Sequence, residues 1–405
     1  MFDRGMSETS RPTSESTPRN VYAFGLTSFL NDTASEMAYW VLPAFIASLG
    51  AGPAQLGIIE GVAESVASFA KLFSGYLADH LPKRKPLVVG GYIVANAVKP
   101  LLALVSSWWQ ILGIRFADRF AKGIRGTARD VMVAESVDSS RIGSAYGLIQ
   151  ALDSAGAIVG PLAALLLIGH SGMRGVFWWA ALPGALCILV AWIGIRETHR
   201  KNSQKDDGAV QNDGQPSGAK SRLPVGFYYV LFVVTLFSLG NSSDMFLVLR
   251  AENIGIPATH APLLGLVFNI TYTALSWPAG KFSDRFSRST IAAAGYFVFA
   301  AVYLVFAAAP SRSAVWLTMA CYGLFYALTN PVLKALVVDT VAPAVRGRAL
   351  GIYFFLTSIT TLLASLITGE LWKVYGAAVP FYLSAAIAGV SAGLLLIHAP
   401  ASAEA

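Results

Sequence analysis

Charge is what this chain has least of. Of its 405 residues only 13% are Asp, Glu, Lys or Arg, against about 25% in a soluble globular protein. Cysteine is nearly absent, and Cys187 and Cys321 both lie within apolar runs. They read as small packed hydrophobes and say nothing about redox compartment. The histidines (His80, His170, His199, His260 and His398) fall in polar loops or at the ends of apolar runs. A soft-metal site of His and Cys is therefore poorly served. No Gly-x-x-x-x-Gly-Lys-Ser/Thr loop occurs, which argues against ATP as a driving force, and no His-Glu-x-x-His occurs to suggest a zinc hydrolase. The net charge of +7 is not gathered into a basic stripe interleaved with aromatics, so nucleic acid is not expected as a partner. No cofactor and no resident metal is implied.

What remains is apolar surface. Apolar residues make up 55% of the chain and the mean hydropathy is +0.57. A helix needs roughly 20 apolar residues to span a bilayer, and twelve such segments can be laid out. The first six fall near 21–48, 54–78, 86–106, 108–134, 141–168 and 174–196. The second six fall near 225–249, 261–280, 290–309, 314–338, 347–370 and 378–398. Residues 1–20 are rich in Ser, Thr, Pro and Arg and read as a disordered cytoplasmic tail. No signal peptide is expected, because the first apolar run is too long and carries Asp32 and Glu36. A polar stretch over 197–223 links a bundle over 21–196 to one over 224–398, and 399–405 form a short second tail. Lys and Arg distribute unevenly between alternate loops. One side holds Lys83, Arg84, Lys85, Arg141, Lys281, Arg285, Arg288, Arg346 and Arg348, together with the cations of the tail and linker. The other holds Arg174, Arg250, Arg312 and Lys373. The rule that cations stay inside predicts an inner (plasma) membrane protein with both termini cytoplasmic.

Two stretches organise the chain. Gly75-Tyr-Leu-Ala-Asp79 leads into His-Leu-Pro-Lys83-Arg84-Lys85, and Gly280-Lys-Phe-Ser-Asp284 leads into Arg285-Phe-Ser-Arg288. Each lies where one apolar span hands over to the next. The glycine admits a close helix neighbour, and the aspartate can meet a helix N-terminus or a cation. Other pairs repeat at similar offsets: Glu36-Met37 with Asp244-Met245, and Gly143-Ser-Ala-Tyr-Gly147 with Gly347-Arg-Ala-Leu-Gly351. The duplicated loop resembles the signature of the major facilitator superfamily of transporters, and the likeness extends over nearly the whole chain after residue 20. It implies an all-α membrane protein of twelve transmembrane helices, in two six-helix bundles related by a pseudo-two-fold axis. Gly75, Asp79, Arg84, Gly280, Asp284 and Arg285 would then form the gating motif. Gly156-Ala-Ile-Val-Gly160-Pro161 is similar to the motif of the family's antiporters. Arg119-Phe-Ala-Lys122-Gly123 partly matches a motif associated with proton transfer, although Lys122 and Arg125 stand where uncharged residues are usual.

Each charge at bilayer depth costs about 2.5–3.5 kcal/mol on insertion scales and so asks for a reason. Asp32 and Glu36 share one face of the first span, and Glu60, Glu64 and Lys71 lie within about 40° of each other on the second. Arg115, Asp118, Arg119, Lys122, Arg125 and Arg129 occupy roughly 120° of the fourth. Asp153, counted from the cytoplasmic end of its span, and Arg119, counted from the outer end of its own, come out at equal depth and are expected to pair. The second half offers mainly Asp244, Lys334, neutral polar groups and aromatics. An ionic half facing an aromatic half suits a small amphipathic or aromatic substrate. Lys122 and Arg125 could instead attract an anion. The expected activity is alternating-access transport rather than catalysis, by a monomer, as proton-coupled export. Asp32 is the first choice of coupling group, followed by Glu36 and Glu64, with Arg115, Arg119, Asp153 and Asp244 as further candidates. A metal-ion or organic-anion transporter, or a proton symporter, is the alternative.

Overall fold

The computed structural model describes residues 18–50, 53–198, 223–256, 261–308, 311–397. The tails and most of the linker expected over 197–223 lie outside the described residues. Among the described residues the chain is helical with no strand. The first half holds α1 (Arg19–Ser48), α2 (Pro53–His80), α3 (Lys85–Val98), α4 (Trp108–Glu135), α5 (Ile142–Trp179) and α6 (Ala181–Gly194). The second holds α7 (Val225–Gly240), α8 (Met245–Asn253), α9 (Ala261–Arg285), α10 (Arg288–Ala308), α11 (Arg312–Asp339), α12 (Arg346–Tyr375) and α13 (Val379–Ile397).

The expected spans are present, with three local departures. Pro100 has no N–H to continue α3, and the chain passes into a 3-10 turn over Pro100–Leu104. The fifth and sixth spans are not separated by a loop. Instead α5 runs on to Trp179 and breaks at Gly172, whose φ of 64° only glycine adopts without cost. The seventh span is interrupted: α7 stops at Gly240, and Asn241 is non-helical at φ −100°, ψ 81°. Asn, Ser, Ser and Asp follow one another there, and each prefers to bond its own backbone over continuing a helix.

The two halves fold as two six-helix bundles. Within the first, α1 packs on α5 and α6, and α2 on α4; within the second, α9 packs on α11 and α10 on α13. The bundles meet where α5 lies on α9 and α2 on α12. Among the described residues six stretches, five of them single helices or a helix with its 3-10 turn, are both long and apolar enough to cross a membrane by composition; α1, α2 and α4 are not among them. Those three carry most of the embedded charge, so their polar faces need protein or water rather than lipid. The chain is a multi-pass membrane protein.

Candidate transport site

The two signature stretches meet the opposite bundle in the same way. The Asp79 carboxylate accepts the backbone N–H groups of Gly347 (2.8 Å) and Arg348 (2.7 Å), in the first turn of α12. Asp284 accepts those of Gly143 (2.8 Å) and Ser144 (2.8 Å), in the first turn of α5. Both aspartates thus satisfy N–H groups that a helix start leaves open, at the positive end of its dipole. The glycines make this approach possible. A methyl group on Gly75 would run into the Gly347 carbonyl oxygen and lie 2.9 Å from Gly351 Cα, and one on Gly280 would run into the Gly143 carbonyl oxygen. The two repeats noted in the sequence, one around the aspartates and one opening α5 and α12, are therefore the two halves of a single clasp, made twice.

An arginine backs each clasp. Arg84, 5% exposed, donates to both oxygens of Glu135 at 2.8 and 2.6 Å and to the Ala78 carbonyl. Arg288, 9% exposed, pairs with Asp339 and Asp284 and donates to the Ala335 and Ser139 carbonyls. Arg285, the sequence choice for this role, is exposed. The helix turn carries it to the outer surface, and Arg288 three residues on faces inward.

Above the clasps, between the bundles, lies a cavity of about 1150 Å³. Its second-half wall is aromatic, with Phe237, Phe325, Tyr326, Tyr353, Phe354 and Phe355. Phe325 and Tyr326 pack edge to face at 4.9 Å, and Tyr326 lies 5.2 Å from Tyr322. Beneath it a second cavity of about 170 Å³ is lined by Asp32, Asp130, Asp153, Arg125 and Arg129 among others. Lys71, Lys122, Lys334 and Phe354 line both. Asp130, 2% exposed, is held by Arg129 at 3.0 Å and by Lys334 of the other bundle at 3.5 Å.

The candidate residues divide between places. Asp32 and Asp153 come together at the lower cavity. Gly156 and Gly160 press α5 against α1 beside Asp32 and Glu36, where a methyl on Gly156 would lie 3.1 Å from Asp32 Cβ and one on Gly160 2.7 Å from Glu36 Cβ. Pro161 sits within an unbroken stretch of α5 and faces a separate apolar cleft against α9. Arg115 is elsewhere, within the first bundle, 3.7 Å from Asp118 and 5.4 Å from the Tyr39 ring centre. Asp244 occupies the break between α7 and α8, where it accepts from Tyr322 Oη (2.7 Å) and Tyr326 Oη (3.3 Å). The side chain of Glu64 lies outside the described residues.

The expected Arg119–Asp153 pair does not form: Asp153 accepts from Gln150 Nε2 at 3.5 Å, and the cations sharing its cavity are Lys122, Arg125, Arg129, Lys71 and Lys334. The reason is length. Helix α4 has 28 residues, so Arg119 sits about 24 Å from the clasp end while Asp153 sits about 16 Å from it. Asp130 and Glu135 are not singled out by the sequence, and Arg288 stands there only as a cation of the second signature stretch, without its partner Asp339. The Arg84–Glu135 and Arg288–Asp339 pairs are each 51 residues apart, and that repeated spacing is the mark they leave in the sequence. Gly389-Val-Ser391-Ala-Gly393 fits the pattern of a hydrolase nucleophile turn, but Ser391 is 0% exposed in the interior of α13.

The model of the Major Facilitator Superfamily matches residues 24–249 and again 230–405. The chain belongs to that superfamily. An uncharacterized MFS-type transporter of Methanocaldococcus jannaschii is 33% identical over 387 residues, 94% of each chain. The multidrug resistance protein MdtG of Escherichia fergusonii is 26% identical over 280 residues, 67% of this chain and 68% of its own. Among solved structures, the human organic anion transporter MFSD10 superposes with a TM-score of 0.77 at 15% identity, covering 95% of this chain and 100% of its own. The superfamily fold, with two bundles around a central cavity, is thus shared at full length.

Proposed function

We propose that this superfamily member exports a small amphipathic or aromatic molecule in exchange for protons, by alternating access. The observation that carries the reading is the central cavity, closed at one end by two symmetric clasps and lined by three lysines and a largely aromatic second-half wall. The cations around those clasps agree with that end facing the cytoplasm, and on this reading the cavity is closed from the cytoplasmic side. In this state the site faces the compartment from which protons enter. Asp32 and Asp153 face one small cavity together with Lys122, Arg129 and Lys334. Two carboxylates in one low-dielectric pocket are costly to ionise together, and neighbouring cations offset that cost. A cation drawn toward substrate leaves a carboxylate free to take a proton, and a proton taken from outside releases the substrate. Asp32 is assigned as the coupling group, with Asp153 as its neighbour. The name of the MdtG relatives agrees with efflux.

The test is transport in proteoliposomes under imposed pH gradients of either sign, with Asp32→Asn beside the wild type. Substrate is expected to move against the proton gradient, and Asp32→Asn is expected to lose that response while still exchanging substrate. Movement in the same direction as protons, or indifference to pH, contradicts the proposal.

A further inference from the structure

The cavity's charge is one-sided. Among the described residues, every charged side chain lining the larger cavity is a lysine: Lys71 from α2, Lys122 from α4 and Lys334 from α11. The carboxylates Asp32, Asp130 and Asp153 line only the smaller cavity beneath. The three lysines line both, and so form the waist between them. Lys71 and Lys334 come from opposite bundles, yet their Nζ atoms stand 5.5 and 5.7 Å from the same ring, that of Phe354. Lys122 is exposed to the cavity and makes no ion pair with any described residue.

We infer that Lys71, Lys122 and Lys334 form an anion subsite that takes the carboxylate, sulfonate or phosphate group of an organic anion, with Phe354 and the aromatic wall receiving its apolar body. The inference rests on the reading of this cavity as the transport site and names the substrate class. Three like charges at a waist inside a membrane protein are costly unless a counter-charge is supplied. Asp130 supplies one to Lys334, at 3.5 Å, longer than a charge-assisted hydrogen bond. Asp130 also keeps Arg129 at 3.0 Å, so Lys334 can turn to an incoming anion without stranding the aspartate. Lys122 shares the smaller cavity with Asp32 and Asp153 but forms no salt bridge with a described residue, which leaves it the readiest of the three to turn to an anion. A cationic amphiphile would meet the same three ammonium groups and be repelled. The aromatic wall then sets the shape of the rest: Phe237, Phe325, Tyr326 and Tyr353 offer ring faces and edges to a flat apolar body.

The experiment is equilibrium binding to the purified full chain in nanodiscs of neutral lipid. The probes are 2-naphthoate, naphthalene-2-sulfonate and 2-naphthyl phosphate, set against 2-naphthylmethylammonium and 2-naphthamide of matched shape. At least one anion is expected to bind more tightly than the amine and the amide, and to weaken as salt is raised. Lys122→Gln is expected to weaken that anion about tenfold, the loss of one charge-assisted contact, and to leave the amide unchanged; Lys122→Arg is expected to restore it. Because Lys122 is exposed and forms no salt bridge with a described residue, the variant tests the site rather than the fold. An amine that binds as tightly as every anion, or a Lys122→Gln protein that holds the anion as the wild type does, overturns the inference. The readout needs no transport. Anion binding that depends on Lys122 in a protein indifferent to pH gradients would uphold the subsite and remove proton-coupled export.

Discussion

The two clasps share a skeleton and differ in their latches. Asp79 and Asp284 each hold the first turn of a helix from the opposite bundle, and each is followed by an arginine paired to a carboxylate 51 residues on. The difference lies in where the arginine reaches. Arg84 bonds Ala78 and Glu135, both in its own bundle, while its backbone N–H donates to Glu197 at the start of the linker. Arg288 reaches across the interface to the Ser139 carbonyl at 2.8 Å and also lies 3.4 Å from Asp284. The first clasp is thus braced from within its bundle, and the second carries a charge-assisted hydrogen bond between bundles. Duplication preserved the contact that closes the gate and let the brace behind it diverge. A similar asymmetry appears higher up, where the first half contributes two of the three lysines that line the cavity and the second contributes Lys334 and most of the rings.

Steric closure gives the sharpest break. Gly75→Val and Gly280→Val each place side-chain atoms where the facing helix backbone lies, so the closed end cannot form. Each is expected to abolish transport in the proteoliposome assay while the protein remains monodisperse. Equal activity in either variant would show that the close approach is dispensable.

Next in size is the brace at Arg288. Arg288→Ala removes the arginine that Asp339 and Asp284 share and is expected to lower stability by about 3–5 kcal/mol, read as a fall in the thermal unfolding midpoint in detergent. Arg285→Ala removes an exposed cation outside the clasp and is expected to leave the midpoint unchanged. Equal falls would erase the distinction between the two positions.

How much of this could be read without coordinates depends on the distance between the groups concerned. The glycine–aspartate loops and the glycine pairs at Gly143 and Gly347 were visible as repeats, because duplication leaves a mark along the chain. That the two repeats bind each other was not, since nothing in either one names its partner. The Arg119–Asp153 pairing failed because depth was counted from opposite membrane faces over helices longer than the apolar windows that define them. Asp130 escaped notice beside Arg129, as its second partner, Lys334, lies in the other bundle. The break after Gly240 was hidden for a related reason, as the apolar residues on both sides of Asn241 to Asp244 outweigh four polar ones in any window of span length.

The claim that joins these parts is that the two aspartates hold one end of the molecule shut, and that releasing them opens it while the far end closes. Each carboxylate at a helix start contributes about 0.3–1 kcal/mol or somewhat more, so replacing both shifts the balance without unfolding the bundles. Double electron–electron resonance tests this directly, on a background of Cys187→Ala and Cys321→Ala. One spin-label pair is placed at His80→Cys and Arg285→Cys at the clasp end, and another at Ser48→Cys and Tyr375→Cys at the other end; all four sites are exposed. In the Asp79→Asn, Asp284→Asn protein the account predicts a second, longer distance at the clasp end and a matching shorter one at the far end. Unchanged distances, or both ends widening together, would contradict it.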